Sequence, residues 1–106
     1  MARRAANIDA NQPEIVEALR KVGASVAHLH GVGMGCPDIL VGFRGANILM
    51  EIKDGSKVPS ARKLNTMQAE WHKLWQGQAC VVNSAEEALA VLFSAPQNID
   101  HRGIVM

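Results

Sequence analysis

A chain of 106 residues has room for one compact domain and little else. Apolar residues make up 48% of it, which supports a real core and argues against global disorder. A formal net charge of +1 excludes a uniformly basic nucleic-acid binder, but not one whose basic residues cluster.

Residues 1–9 read as a flexible N-terminal arm. Asn11 followed by Glu14 has the spacing of a capping box, with Pro13 tolerated in the first turn, and predicts a helix start. Ile15, Val16, Leu19 and Val22 then fall on one helical face, and Gly23 stops the helix. Residues 24–30 read as a strand, followed by a glycine-rich turn through Gly31, Gly33 and Gly35 to Pro37 and Asp38. A second strand is expected over Ile39–Phe43 and a third over Asn47–Lys53, joined by Arg44-Gly45 as a hairpin. Residues 54–63 form a basic, polar loop with Gly55 and Pro59. Leu64, Met67, Trp71, Leu74 and Trp75 recur at helical spacing up to Gly77. Ala79–Val82 is a short apolar strand, and Ser84 with Glu87 predicts a second capping box that opens a helix through Phe93. The periodicity is lost after Pro96. The reading is an arm over 1–9, a domain over 10–95 and a tail over 96–106. The order α-β-β-β-α-β-α predicts a mixed sheet flanked by helices, an α/β fold. Its second and third strands are antiparallel, and its fourth can lie parallel to the third.

Two cysteines, Cys36 and Cys80, are too few and too isolated for a disulfide framework or a zinc site, and read as reduced thiols in a cytoplasmic protein. No apolar run approaches the ~18 residues of a membrane span. Arg3 and Arg4 are not followed by the apolar stretch of a signal peptide.

The chemistry concentrates in Pro37-Asp38 and Glu51-Ile52-Lys53. Residues two apart on a strand leave the same face, so Glu51 and Lys53 share one. The hairpin brings Asp38 beside Glu51 at its open end. Two close carboxylates repel and raise one another's pKa. A hard divalent cation removes that penalty, and Mg²⁺ takes one or two carboxylates plus water and phosphate. The Ile52 backbone carbonyl is a further candidate ligand. Such a cation polarises a phosphate and activates water, while Lys53 orients that water or meets developing negative charge.

This pattern resembles the PD-(D/E)XK nuclease superfamily. The longer run, Gly35-Cys-Pro-Asp-Ile-Leu-Val-Gly42, then Leu49-Met-Glu-Ile-Lys-Asp-Gly55, then Gln68, resembles the VRR-NUC (virus-type replication-repair nuclease) group in its stand-alone phage form, over residues 9–93. The resemblance implies an αβββαβ restriction-endonuclease-like core, Mg²⁺ or Mn²⁺ dependence and a homodimer. It implies a DNA endonuclease acting on branched DNA such as Holliday junctions, in the bacterial host cytoplasm if phage-encoded, with no organic cofactor and no membrane. Within the same fold, a general nicking or end-processing nuclease and a non-cleaving DNA-binding module are the alternatives. By the same resemblance Asp38 and Glu51 match metal ligands, Lys53 the catalytic lysine, and Gln68 a glutamine that positions water or phosphate. Many relatives add a carboxylate from the first helix. Here Gln12 lies on the buried face of that helix and Glu14 points away. Gln12, acting through a water, or Glu14 on a rotated helix is the candidate at that place.

His30, Lys57, Arg62 and Lys63 are candidate DNA contacts, since basic groups beside a phosphate-cleaving site bind backbone phosphates. His28 and His30 alternate on one face of a strand, where a two-histidine metal site competes with plain packed or surface imidazoles. Trp71 and Trp75, at i and i+4, read as core or dimer interface, with base stacking as the alternative. Gly31, Gly33 and Gly35 lack the continuation of a nucleotide-binding loop and read as a tight turn.

Overall fold

The computed structural model describes residues 8–94. The elements are α1 (Gln12–Lys21), β1 (Ser25–His28), β2 (Ile39–Phe43), β3 (Ala46–Ile52), a 3-10 turn (Pro59–Arg62), α2 (Thr66–Leu74), β4 (Ala79–Val82) and α3 (Ala85–Ser94). Most of the predicted arm and all of the predicted tail lie outside the described residues. No described helix is long and apolar enough to cross a membrane.

The four strands form one mixed sheet in the order β1-β2-β3-β4. β1–β2 and β2–β3 are antiparallel, and β3–β4 is parallel. The hairpin is as tight as its residues allow. Phe43 pairs with Ala46 across Arg44 and Gly45, whose φ values of 50° and 84° match the right-handed strand twist. The Arg44 guanidinium lies 4.7 Å from the centre of the Phe43 ring, which anchors this strained turn residue.

Alternation along the strands divides the sheet into two faces. Ile39, Val41, Ile48, Met50, Ile52 and Val82 point to one face, where α1 contributes Ile15, Val16 and Leu19 and α3 contributes Ala88 and Leu92. Each large aliphatic side chain buried there contributes about 1.5–3 kcal/mol. Val22, expected on the same helical face, is exposed at the end of α1 instead. Leu49 and Glu51 point to the opposite face. There α2, which buries none of its residues, leaves Met67, Leu74 and Trp75 exposed, with Trp71 and Trp75 stacked 4.7 Å apart.

The helix starts depart from expectation in an informative way. Asn11 stands at the N-cap of α1 but makes no capping bond. Its Nδ2 donates instead to the backbone carbonyls of Lys53 and Asn83, both at 3.1 Å. The amide thereby ties α1 to the ends of β3 and β4, and Glu14 is exposed. At α3, Ser84 Oγ accepts from the Glu87 N–H, as the pattern predicts. The Glu87 carboxylate reaches the N–H of Asn83 rather than that of Ser84. The unpredicted case is α2. There Asn65 Oδ1 accepts from the Gln68 N–H while Gln68 Oε1 accepts from the Asn65 N–H, a complete capping box.

Candidate active site

Asp38 is held at the mouth of β2 by its backbone and its side chain. Its N–H donates to Met50 O at 3.1 Å, and its carbonyl accepts from Leu29 N–H at 2.8 Å. Its Oδ2 accepts from Ile52 N–H at 2.7 Å. That last bond replaces a ladder bond, because β2 has ended where β3 continues. The N–H and C=O of one strand residue point to the same side, so the Ile52 carbonyl also faces Asp38.

Glu51 is 3% exposed. Its Oε2 accepts from Gln68 Nε2 at 3.1 Å and lies 3.7 Å from Lys53 Nζ. Lys53 Nζ donates to Gln68 Oε1 at 2.9 Å. One amide therefore engages both charged groups. Its orientation is set, because the oxygen meets two donors and the nitrogen meets a carboxylate. Glu51 Oε1 is buried with no hydrogen-bond partner among the described residues.

Burial is the main force on the two acids. It pushes Glu51 up to about 8, helped by the Asp38 charge and by a hydrogen bond with Asp38 that favours the protonated form, and opposed by Lys53. Asp38 is pushed upward too, again chiefly by burial, against the Ile52 N–H that favours its ionised form. Both shifts favour the protonated form of the pair when no cation is bound. Cys36 faces the same charges, and burial with Glu51 and Asp38 keeps it a thiol. His72 is depressed by burial and by Lys53, which favours the neutral imidazole.

Asp38, Glu51, Lys53 and Gln68 line a cavity of about 700 Å³ together with Lys57 and His30. Asp9 lines it as well, and its charge helps raise both Asp38 and Glu51. Asp9 falls within the arm expected over residues 1–9 and is not among the site residues expected from sequence. The available signal was its position just before the helix, where its carbonyl accepts from the Gln12 N–H at 3.0 Å.

Not every candidate converges here. Gln12 is buried and meets His28, not the two acids, with its nitrogen 3.4 Å from His28 Nδ1. Glu14 and Arg62 line a different cavity with Asp54, Glu86 and Glu87. Lys63 is exposed outside the cleft lining. His28 ends β1 and His30 lies beyond it in a turn, with ring centroids 6.2 Å apart, so they are not two steps of one strand. The basic loop has internal order: Asp54 Oδ1 accepts from the Ser56 N–H at 2.9 Å and from its hydroxyl at 2.7 Å.

Gly35 fixes the distance between the glycine turn and α2. It has φ +82°, and a Cβ there would stand 2.5 Å from Met67 O. The turn that delivers Asp38 thus rests directly on the first turn of the helix that delivers Gln68.

Among the described residues no three His, Cys, Asp or Glu side chains form a ready metal cage. The half-buried Asp38 and the buried Glu51, which has an unpartnered oxygen, fit a hard cation that takes its remaining ligands from backbone, water and phosphate. Comparison with protein-family models, with curated proteins and with solved structures finds no match to this chain.

Proposed function

We propose that the chain is a metal-dependent DNA endonuclease of the PD-(D/E)XK type, most similar in pattern to the VRR-NUC group. The observation that carries this reading is the buried Glu51 paired with half-buried Asp38, with Lys53 alongside, in a polar cleft. Asp38, Glu51 and the Ile52 carbonyl would hold Mg²⁺ or Mn²⁺, which when bound supplies Lewis acidity toward the phosphate and a more acidic water.

The protein's own groups account for the rest. Lys53, held by Gln68, presents an ammonium toward the cleft to meet charge developing on the phosphate. Gln68 keeps Lys53 and Glu51 from closing into a tight ion pair. Lys57 and His30 on the cleft wall contact flanking phosphates. Branched DNA is the proposed substrate. Cutting two strands with one site per chain calls for a two-fold dimer, and the exposed apolar residues of α2 are available for such a contact.

The test is cleavage of labelled four-way-junction and matched duplex DNA with Mg²⁺, Mn²⁺ or EDTA, using wild type and Lys53→Ala. Metal-dependent cutting that Lys53→Ala lowers by ~10²-fold or more is expected. A clear junction preference would identify the branched substrate. DNA that binds but is never cut would reassign the chain as a non-cleaving DNA-binding module.

A further inference from the structure

A second cavity, of about 710 Å³, opens between α1 and β1 and shares Ile8 and His30 with the catalytic cleft. Its walls are mainly apolar, from Ile8, Pro13 and Val16. Its polar equipment is specific. The Gln12 side chain lines it, 3% exposed, with one end of its amide on His28 and the other without a partner. Arg20 and Lys21 stand on its α1 side, with Glu17 as the sole acid in the lining.

We infer that this cavity receives one unpaired nucleobase of the DNA strand that occupies the cleft, a role that rests on the nuclease reading above. A planar, largely apolar ring system suits apolar walls with a few fixed polar groups, and the volume lies in the range of small-ligand sites. An amide with free hydrogen-bonding capacity reads a base edge through paired donors and acceptors. Arg20 and Lys21 supply charge for the attached phosphates. Continuity through His30 places the base next to the nucleotide being cut. A duplex keeps its bases stacked, whereas a flap presents unpaired ones beside its branch point, so the cavity gives this nuclease a physical means of preferring branches of that kind.

The experiment uses a flap carrying 2-aminopurine at the unpaired base of the branch, or at a paired base remote from it. The DNA is titrated with Lys53→Ala protein, which leaves it uncut. A several-fold change in emission confined to the branch position is expected. Added to this background, Glu17→Trp places a bulky ring in the cavity from an exposed position and abolishes the response. Gln12→Leu weakens binding of the branched probe on the order of tenfold, and circular dichroism and melting confirm that both variants fold. Glu17→Trp with Lys53 intact still cuts whatever fully paired DNA the wild type cuts. Emission that is the same at both positions, or that survives Glu17→Trp, overturns the base pocket even while wild type cuts DNA. Loss of binding on Arg20→Ala and Lys21→Ala, but not on Glu17→Trp, also overturns it and leaves a phosphate-binding surface. A branch-specific response with no cutting by wild type would sink the nuclease reading and leave the pocket standing.

Discussion

Glu51 and Lys53 face each other at 3.7 Å, and the amide of Gln68 engages them both. The same side chain completes the capping box of α2 with Asn65. Two functions therefore converge on one amide. Asn65→Ala should cost about 1 kcal/mol, the usual value of an N-cap. It should also lower cleavage, because the Gln68 N–H loses the Asn65 Oδ1 acceptor that fixes the first turn carrying Gln68. Gln68→Ala should lower cleavage further, on the order of tenfold or more. The double variant should be no slower than Gln68→Ala, a non-additivity that a kinetic double-mutant cycle reads directly.

Glu51 gives the metal-free protein a pH dependence of definite sign. Its folded pKa, about 8, lies above its ordinary value of 4.5, so the folded state binds the proton more tightly than the unfolded state. The stabilisation is complete below pH 4.5 and is lost as pH rises toward 8. Asp38 is shifted in the same direction. In EDTA the melting temperature should fall by several degrees between pH 5 and pH 8.5, at ~4–8 °C per kcal/mol for a domain of this size. Mg²⁺ or Mn²⁺ should recover it at high pH. Glu51→Gln should flatten the slope, raise stability at pH 8.5 and abolish cutting. An unchanged slope in that variant would show that Glu51 is not the group responsible.

Asn11 offers a test that separates two roles of one residue type. As a plain N-cap it could be exchanged for Asp without loss. As a donor to Lys53 O and Asn83 O it cannot, because a carboxylate has no N–H to give. Asn11→Ala should destabilise by about 2 kcal/mol, at about 1 per hydrogen bond, and Asn11→Asp by at least as much. Urea unfolding of both variants decides the matter. An Asp variant as stable as wild type would restore the capping role.

Gly35→Ala should be far more damaging than Gly31→Ala. The first puts a Cβ against the Met67 carbonyl in a left-handed backbone, while the second meets nothing within 4 Å. A cost of about 2–4 kcal/mol is expected for Gly35→Ala, from strain and overpacking together. Its residual activity should fall with the displacement of Gln68. Gly31→Ala should be near neutral in both respects.

The sheet and the central trio were legible in the sequence because they depend on local rules. The hairpin follows from Arg44-Gly45, and the common face of Glu51 and Lys53 follows from strand alternation. Gln12 was placed on the buried face of α1 and Glu14 off it by helical period alone. Long-range choices were not legible. Asn11 looks like a cap because local spacing says nothing of two carbonyls that stand 42 and 72 residues away. Asp9 looks like part of an arm because nothing in its neighbourhood is periodic, yet the fold brings it to the cleft. Arg62 and Lys57 are close in sequence, but the 3-10 turn between them sends Arg62 to another cavity.

The chain's two tryptophans both belong to the α2 segment, one inside the helix and one at its C-cap, stacked together and partly open to solvent. Intrinsic ultraviolet emission from this protein is consequently a local signal, blind to the aliphatic interior. It registers whether the segment bearing Gln68 is seated, and solute quenching of that light during DNA or metal titration would follow assembly of the Asp38–Glu51–Lys53 end separately from folding of the rest.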